Sequence, residues 1–205
     1  MNEEPKIDYN FLKKTWNLKT ELPINSALTY STNIFDTINK DLSSHLVHDR
    51  LILLVDKKVY KLYKKEMKNY FNSNKIEYKI LEVDTGEDSK NWNTVEKILQ
   101  FFESISVFRQ EEIIIIGGGV LLDIGGFACS IYRRGIPYVK VPTTLLAIVD
   151  ASVGAKVGIN HFGRRNRLGS YYPPVKTLID RSFISTQEEK EIINGLGEIF
   201  KIAII

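Results

Sequence analysis

The stretch Ile113-Ile-Ile-Ile-Gly-Gly-Gly119-Val-Leu-Leu-Asp123, continuing as Ile-Gly-Gly-Phe-Ala-Cys-Ser-Ile-Tyr132, changes character at its glycines. Four β-branched residues in a row predict a buried strand, the glycines a tight turn, and the apolar residues beyond them a helix. A strand that feeds a helix through glycines brings backbone N–H groups and a helix N-terminus to one point, an arrangement suited to a phosphate. Gly117 to Gly119 are candidates for that role. A plain strand-to-helix turn also needs glycines, and Leu122 stands where the usual dinucleotide fingerprint has its third glycine. Asp123 is expected in the first helical turn, where the helix dipole favours its charge.

Upstream the same alternation appears twice. Leu51-Ile-Leu-Leu-Val55 ends in Asp56 and is followed by helical spacing from Val59 to Asn74. Ile76 to Val83 alternates like a strand, Thr85 to Ser89 is turn-like, and Thr94 to Ile105 sets Val95, Ile98, Leu99 and Phe102 on one helical face. Repeated βα units predict an α/β fold, a Rossmann-like parallel sheet with flanking helices. Downstream come a short strand, Tyr138 to Val141, a helix, Thr143 to Val149, and a glycine-bearing segment, Ala151 to Tyr172, that reads as a functional loop. Val175 to Asp180 is a further strand. Thr186 to Ile205 carries Ile192, Ile193, Leu196, Ile199, Phe200 and Ala203 as a stripe, which predicts a mostly buried helix.

The bulk numbers narrow the function. A chain of 205 residues, 43% hydrophobic, is long enough for one real core. Its net charge of +3 comes from 28 basic and 25 acidic residues mixed along the sequence, which argues against a nucleic-acid surface. The single cysteine, Cys129, rules out an intrachain disulfide, and its apolar flanks point to a buried thiol in a reducing, cytoplasmic compartment. No signal peptide and no membrane span is expected. Residues 1–20 read as a polar leader and 21–185 as the α/β domain.

Asp150 and Lys156 flank Ala151-Ser-Val-Gly-Ala155, and Arg164-Arg-Asn-Arg167 follows, a concentration of donors that suits a phosphate as well as a solvated loop. Glu198 and Lys201 are three apart and share a helix face, as a simple ion pair would.

Taken together, Gly117-Gly-Gly-Val-Leu-Leu-Asp123, Tyr132-Arg-Arg-Gly135, Val141-Pro-Thr-Thr-Leu-Leu-Ala147, Asp150 with Lys156-Val-Gly-Ile-Asn160, Asn166 and Asn194-Gly-Leu-Gly-Glu-Ile-Phe-Lys201 resemble the dehydroquinate synthase superfamily of sugar phosphate cyclases. The resemblance spans nearly everything after the leader. It implies an NAD site with Asp56, Glu87 and Lys90 near the adenosine, and Gly118, Gly119, Val120 and Asp123 near the pyrophosphate. Thr143, Thr144, Leu146, Thr186 and Asn194 match further cofactor positions. Asp150, Lys156, Asn166, Arg134 and Lys201 match substrate positions, with Arg165 available for a phosphate or cofactor charge. Glu198 matches a ligand to zinc or cobalt, whose remaining protein ligands in the family are two histidines of a helical C-terminal domain. Residues 186–205 would open that domain.

The implied reaction removes a hydride to NAD from a metal-polarised alcohol, eliminates phosphate, returns the hydride and closes a carbocycle by an intramolecular aldol step. It is a phosphate-releasing lyase reaction, and this half alone is expected to be inactive. The text around Asn166-Arg-Leu-Gly-Ser-Tyr-Tyr-Pro-Pro174 looks most like 2-epi-5-epi-valiolone synthases, which act on sedoheptulose 7-phosphate. Arg165 stands where dehydroquinate synthases usually have lysine. Dehydroquinate synthesis, a related metal-dependent dehydrogenase and a non-catalytic NAD-binding subunit are the alternatives. A homodimer is the expected state of the full-length protein.

Overall fold

The computed structural model describes residues 6–10, 15–19 and 24–205. In chain order it forms β1 (Lys6–Asn10), β2 (Thr15–Lys19), β3 (Ala27–Ser31), β4 (Arg50–Asp56), α1 (Lys57–Ser73), β5 (Glu77–Val83), α2 (Trp92–Ser104), β6 (Ile113–Gly117), α3 (Gly119–Ile131), β7 (Tyr138–Pro142), a π turn (Ala147–Ala151), β8 (Lys156–His161), β9 (Arg164–Tyr171), β10 (Lys176–Asp180) and α4 (Glu189–Ile204). Six strands make one sheet in the order β3-β10-β7-β6-β4-β5, and every pairing in it is parallel. The Rossmann-like expectation is met.

Strand β4 shows why. Leu51, Leu53 and Val55 pack with Met67, Tyr70 and Phe71 of α1 on one face, while Ile52 and Leu54 pack with Val95, Ile98 and Phe102 of α2 and Leu121 and Ile124 of α3 on the other. A strand covered on both faces has no outward position to spend on polar residues, so it reads as a continuous apolar run. Each such side chain contributes roughly 1.5–3 kcal/mol on leaving water. Helix α3 lies close to the sheet because a Cβ on Gly125 would come within 2.8 Å of Ile115 Cδ1. On its other side a Cβ on Gly126 would meet Val157 of β8 at 2.5 Å.

Two elements lie where no strand was expected, and two expectations need correction. The polar leader carries the antiparallel hairpin β1–β2; its remaining positions lie outside the described residues. Edge strand β3 was not expected, since most of its residues are exposed and it offers no apolar run. The presumed loop from Ala151 to Tyr172 is largely the antiparallel hairpin β8–β9. It closes through Phe162 and Gly163, whose φ values of 52° and 67° are the two left-handed residues of a tight hairpin turn. Helix α4 is not mostly buried: Gly195 is its buried residue, and Ile193 and Phe200 are 58% and 65% exposed. The helix packs on the π turn and, through Gly195, on the segment leading into it.

Candidate functional site

From β4 the chain passes to β5 on one side of the sheet, and from β5 through α2 to β6 on the other, which opens a crevice at the carboxyl ends of β4 and β6. A cavity of about 290 Å³ lies there. Its walls include Asp56 from the end of β4, Gly118, Gly119 and Val120 from the start of α3, Thr143, Thr144 and Leu146 after β7, and Thr186 and Asn194 around the start of α4. Gly118 caps α3 in an extended conformation with no side-chain partner, so the free N–H groups of the first turn are left for a ligand. Thr143 N–H donates to Gly117 O at 3.0 Å and ties the rim of β7 to the rim of β6.

Asp56 is doubly engaged. One oxygen accepts from the backbone N–H of Lys58 and Val59 at 2.7 and 3.2 Å, capping α1, and the other accepts from the Thr85 hydroxyl. Asp56→Ala is therefore expected to lower stability by about 1–2 kcal/mol through the lost cap, read as a shift in the urea midpoint at unchanged slope. An unshifted midpoint would leave Asp56 with no structural role.

A second cavity, about 520 Å³, shares Gly119 and Leu146 with the first. Asp123, Asp150, Lys156 and Asn166 line it. Asn166 is held by a register shift in the hairpin between Ile159 and His161, in a left-handed conformation (φ 49°) that asparagine tolerates. Its N–H donates to Asn160 Oδ1, and Asn160 Nδ2 donates to Glu87 Oε1 at 2.8 Å.

The structure thus separates the expected residues. Glu87, Lys90 and Asp123 do not reach the first cavity. Lys90 is buried, and its Nζ lies 2.5 Å from Asp123 Oδ2. Asp123 sits in the second turn of α3, because the helix starts at Gly119, so its partner is an ammonium rather than the helix dipole. Burial holds the Asp123 carboxyl above the ordinary range, against the pull of Lys90. Arg165 and Arg134 line neither cavity, and Arg133 and Arg134 are both left-handed, with φ of 49° and 64°. Glu198 and Lys201 form an ion pair at 2.5 Å on α4 and line neither cavity, and the hydrogen bond that Lys201 donates to Glu198 raises the Lys201 pKa. Among the described residues no group of three or more His, Cys, Asp and Glu side chains is placed to hold a metal ion. Cys129 is buried, and burial pushes its thiol up, as its apolar flanks suggested. Among the described residues no helix is long and apolar enough to cross a membrane.

One residue of the site and one beneath it were not anticipated. Gln187 accepts from Leu145 N–H through Oε1 at 3.0 Å and lines the first cavity. Lys140, in the centre of β7, is 1% exposed and donates from Nζ to Ala151 O and Gly154 O at 2.7 and 2.8 Å. Its signal was there to read, as a lysine inside Tyr138-Val-Lys-Val-Pro142, between residues that must be buried.

Residues 80–194 match the family model for the N-terminal part of 3-dehydroquinate synthase. A 2-epi-5-epi-valiolone synthase of Actinoplanes sp. is 36% identical over 198 residues, 94% of this chain and 50% of the relative. A 3-dehydroquinate synthase of Buchnera aphidicola subsp. Cinara cedri is 42% identical over 156 residues, 75% of this chain and 42% of the relative. Among solved structures, the 2-epi-5-epi-valiolone synthase ValA of Streptomyces hygroscopicus subsp. jinggangensis 5008, with NAD+ and Zn2+ bound, superposes with a TM-score of 0.87 at 34% identity, covering 91% of this chain and 51% of that one. The chain spans about half the length of these proteins.

Proposed function

The chain belongs to the 3-dehydroquinate synthase family, and from that premise we propose that it is the nucleotide-binding part of an NAD- and metal-dependent sugar phosphate cyclase acting on sedoheptulose 7-phosphate. The observation that carries this reading is the pair of joined cavities, one over the glycine-rich start of α3 and one over Asp150, Lys156 and Asn166.

In this reading the N–H groups at the head of α3 take the cofactor pyrophosphate, and Thr143, Thr144 and Asn194 line the remainder of its site. Lys156 and Asn166 hold the phosphate and hydroxyls of the sugar, and Asp150 orients the substrate or a water. NAD, when bound, supplies the transient hydride acceptor that makes the C–H next to the new ketone acidic enough for phosphate to leave. Zinc or cobalt would polarise the alcohol oxygen, with Glu198 as the residue this chain brings to it. One carboxylate does not by itself make such a site. The uncovered stripe of α4 suits a helix that opens a further helical domain.

A second reading, 3-dehydroquinate synthesis, uses the same cavities with an acidic substrate, and the 42% identity to the Buchnera relative favours it. Calorimetric titration discriminates. NAD is expected to bind the chain at millimolar concentration or below, and sedoheptulose 7-phosphate to bind the NAD-loaded chain at least tenfold tighter than the acidic dehydroquinate precursor. No heat from NAD in a folded sample would remove the cofactor assignment, and the reverse preference would return the protein to the dehydroquinate synthases.

A further inference from the structure

Strand β7 lies between β10 and β6 inside the sheet, and Lys140 at its centre is out of contact with water. An ammonium in such a place is costly unless its donors are satisfied. Lys140 satisfies two of them on backbone carbonyls, Ala151 O at the end of the π turn and Gly154 O three residues on. The carbonyl between them on the adjacent residue is held from the next strand, where Thr177 Oγ1 donates to Ser152 O at 3.1 Å. The sheet therefore grips this irregular backbone from two strands. Asp150 stands one residue before the first gripped carbonyl. Ala151 and Gly154 line the second cavity and Lys140 does not, so Lys140 can act on a bound molecule only through the turn.

We propose that Lys140 is a positioning residue that holds the turn from Ala147 to Gly154 in the shape that presents Asp150 to the sugar phosphate. The proposal rests on reading the second cavity as the substrate site.

The charged groups facing the ammonium are Asp123 from α3 and Asp150 from the turn itself. Burial outweighs them and lowers the Lys140 pKa from 10.5 to about 8. The sign of a pH response follows. Opening the turn to water returns the lysine toward its ordinary value, so between pH 8 and 10.5 the open form binds more protons than the closed one. The closed form gains as pH rises through that window. A neutral amine still has two N–H groups for the two carbonyls, so the grip survives the loss of charge.

Hydrogen exchange of the peptide spanning the turn, in the 205-residue chain and corrected for intrinsic rates, tests this. Wild-type protection is expected to rise by roughly tenfold between pH 7 and 9.5. Lys140→Met should lose at least tenfold of the protection at pH 7 and show no pH trend. Lys140→Arg should recover most of it, also without a trend, because its guanidinium keeps its proton throughout. NAD titration reports whether each variant is folded. Wild-type-like protection in a Lys140→Met chain that binds NAD would overturn the proposal, as would wild-type protection that falls across the window. If Lys140→Met does not fold, the wild-type trend and the arginine variant decide between them. Sedoheptulose 7-phosphate binding is scored separately: its absence from the wild type defeats the substrate reading, while the exchange pattern still judges the grip.

Discussion

Lys90→Met is expected to lower stability by about 2–4 kcal/mol at pH 7, and Asp123→Leu in the same chain to restore most of it. The Lys90 and Asp123 side chains are 8% and 27% exposed, with Nζ and Oδ2 2.5 Å apart. Removing one partner of a fully buried pair leaves an uncompensated charge worth about 3–5 kcal/mol, while replacing both with apolar groups is often neutral. The partial exposure of Asp123 argues for the lower part of that range. The pH dependence carries the sharper sign. Burial already raises the Asp123 carboxyl above its ordinary value of 3.8, with Lys90 opposing. Without Lys90 that opposition is gone, and the folded variant holds its proton to higher pH than the unfolded chain does. A raised carboxyl contributes stability below the unfolded value and loses it as pH rises through the folded one. The deficit of Lys90→Met should therefore shrink on acidification. Urea denaturation at pH 7 and pH 4.5 measures it, and a deficit under 1 kcal/mol, or one that is equal at both, would show that the pair is not a coupled unit. The same pair bears on the cofactor, since an unpaired Asp123 in α3 would repel a pyrophosphate brought to the head of that helix.

The parts of the fold that could be read directly were those where burial left the sequence little choice. Strands β4 and β6 are covered on both faces, so Leu51 to Val55 and Ile113 to Ile116 had to be apolar, and Gly117 at the end of β6 had to make room for Leu121 and Asp56. Strand β3 is at an edge and largely exposed, so propensity alone had to announce it, and Leu28-Thr-Tyr30 does so weakly. The hairpin β8–β9 hid behind its turn: Phe162-Gly163 adopts the geometry usually marked by Asn-Gly. The stripe of α4 was recognised, but a stripe reports that a face is apolar and not what covers it. The same limit divides the site. Backbone-based features, the glycine turn and the threonines after β7, line the first cavity together. Lys90, Arg134 and Lys201 line neither cavity: such side chains have several bonds of reach, and nearby partners such as Asp123 and Glu198 decide where Lys90 and Lys201 end. The burial of Lys140 is legible from its neighbours in β7, but its partners are backbone carbonyls, which carry no residue identity to read.

Gly169→Ala is expected to be the most damaging single methyl group in the hairpin. Gly158 and Gly169 face each other across β8 and β9, and a Cβ on Gly169 would lie 2.3 Å from Val157 O and 3.1 Å from Gly158 Cα. Both obstacles are backbone, so no side-chain rotation relieves them and the strands must separate. Val157 and Ile159 pack into the core beneath α3, which ties that separation to lost apolar contact. A forced fit of this kind costs about 1–3 kcal/mol and occasionally more, and the double backbone clash argues for at least 3. Because Lys156 and Asn166 ride on the two strands, the proposed binding of sedoheptulose 7-phosphate should fall at least tenfold, while NAD affinity, built on other elements in that proposal, stays within threefold. Two further glycines serve as controls. Gly163→Ala meets nothing within 4 Å but has φ of 67°, so it should cost only about 1–2 kcal/mol of backbone strain. Gly197→Ala meets nothing and sits inside α4, where exchanging glycine for alanine should stabilise by about 0.5–1 kcal/mol. Urea midpoints for the three variants, with calorimetric titrations of NAD and sugar phosphate, measure the order directly. If Gly169→Ala proved milder than Gly163→Ala, the close approach of β8 and β9 would be refuted, and with it the placement of Lys156 and Asn166 against one bound molecule.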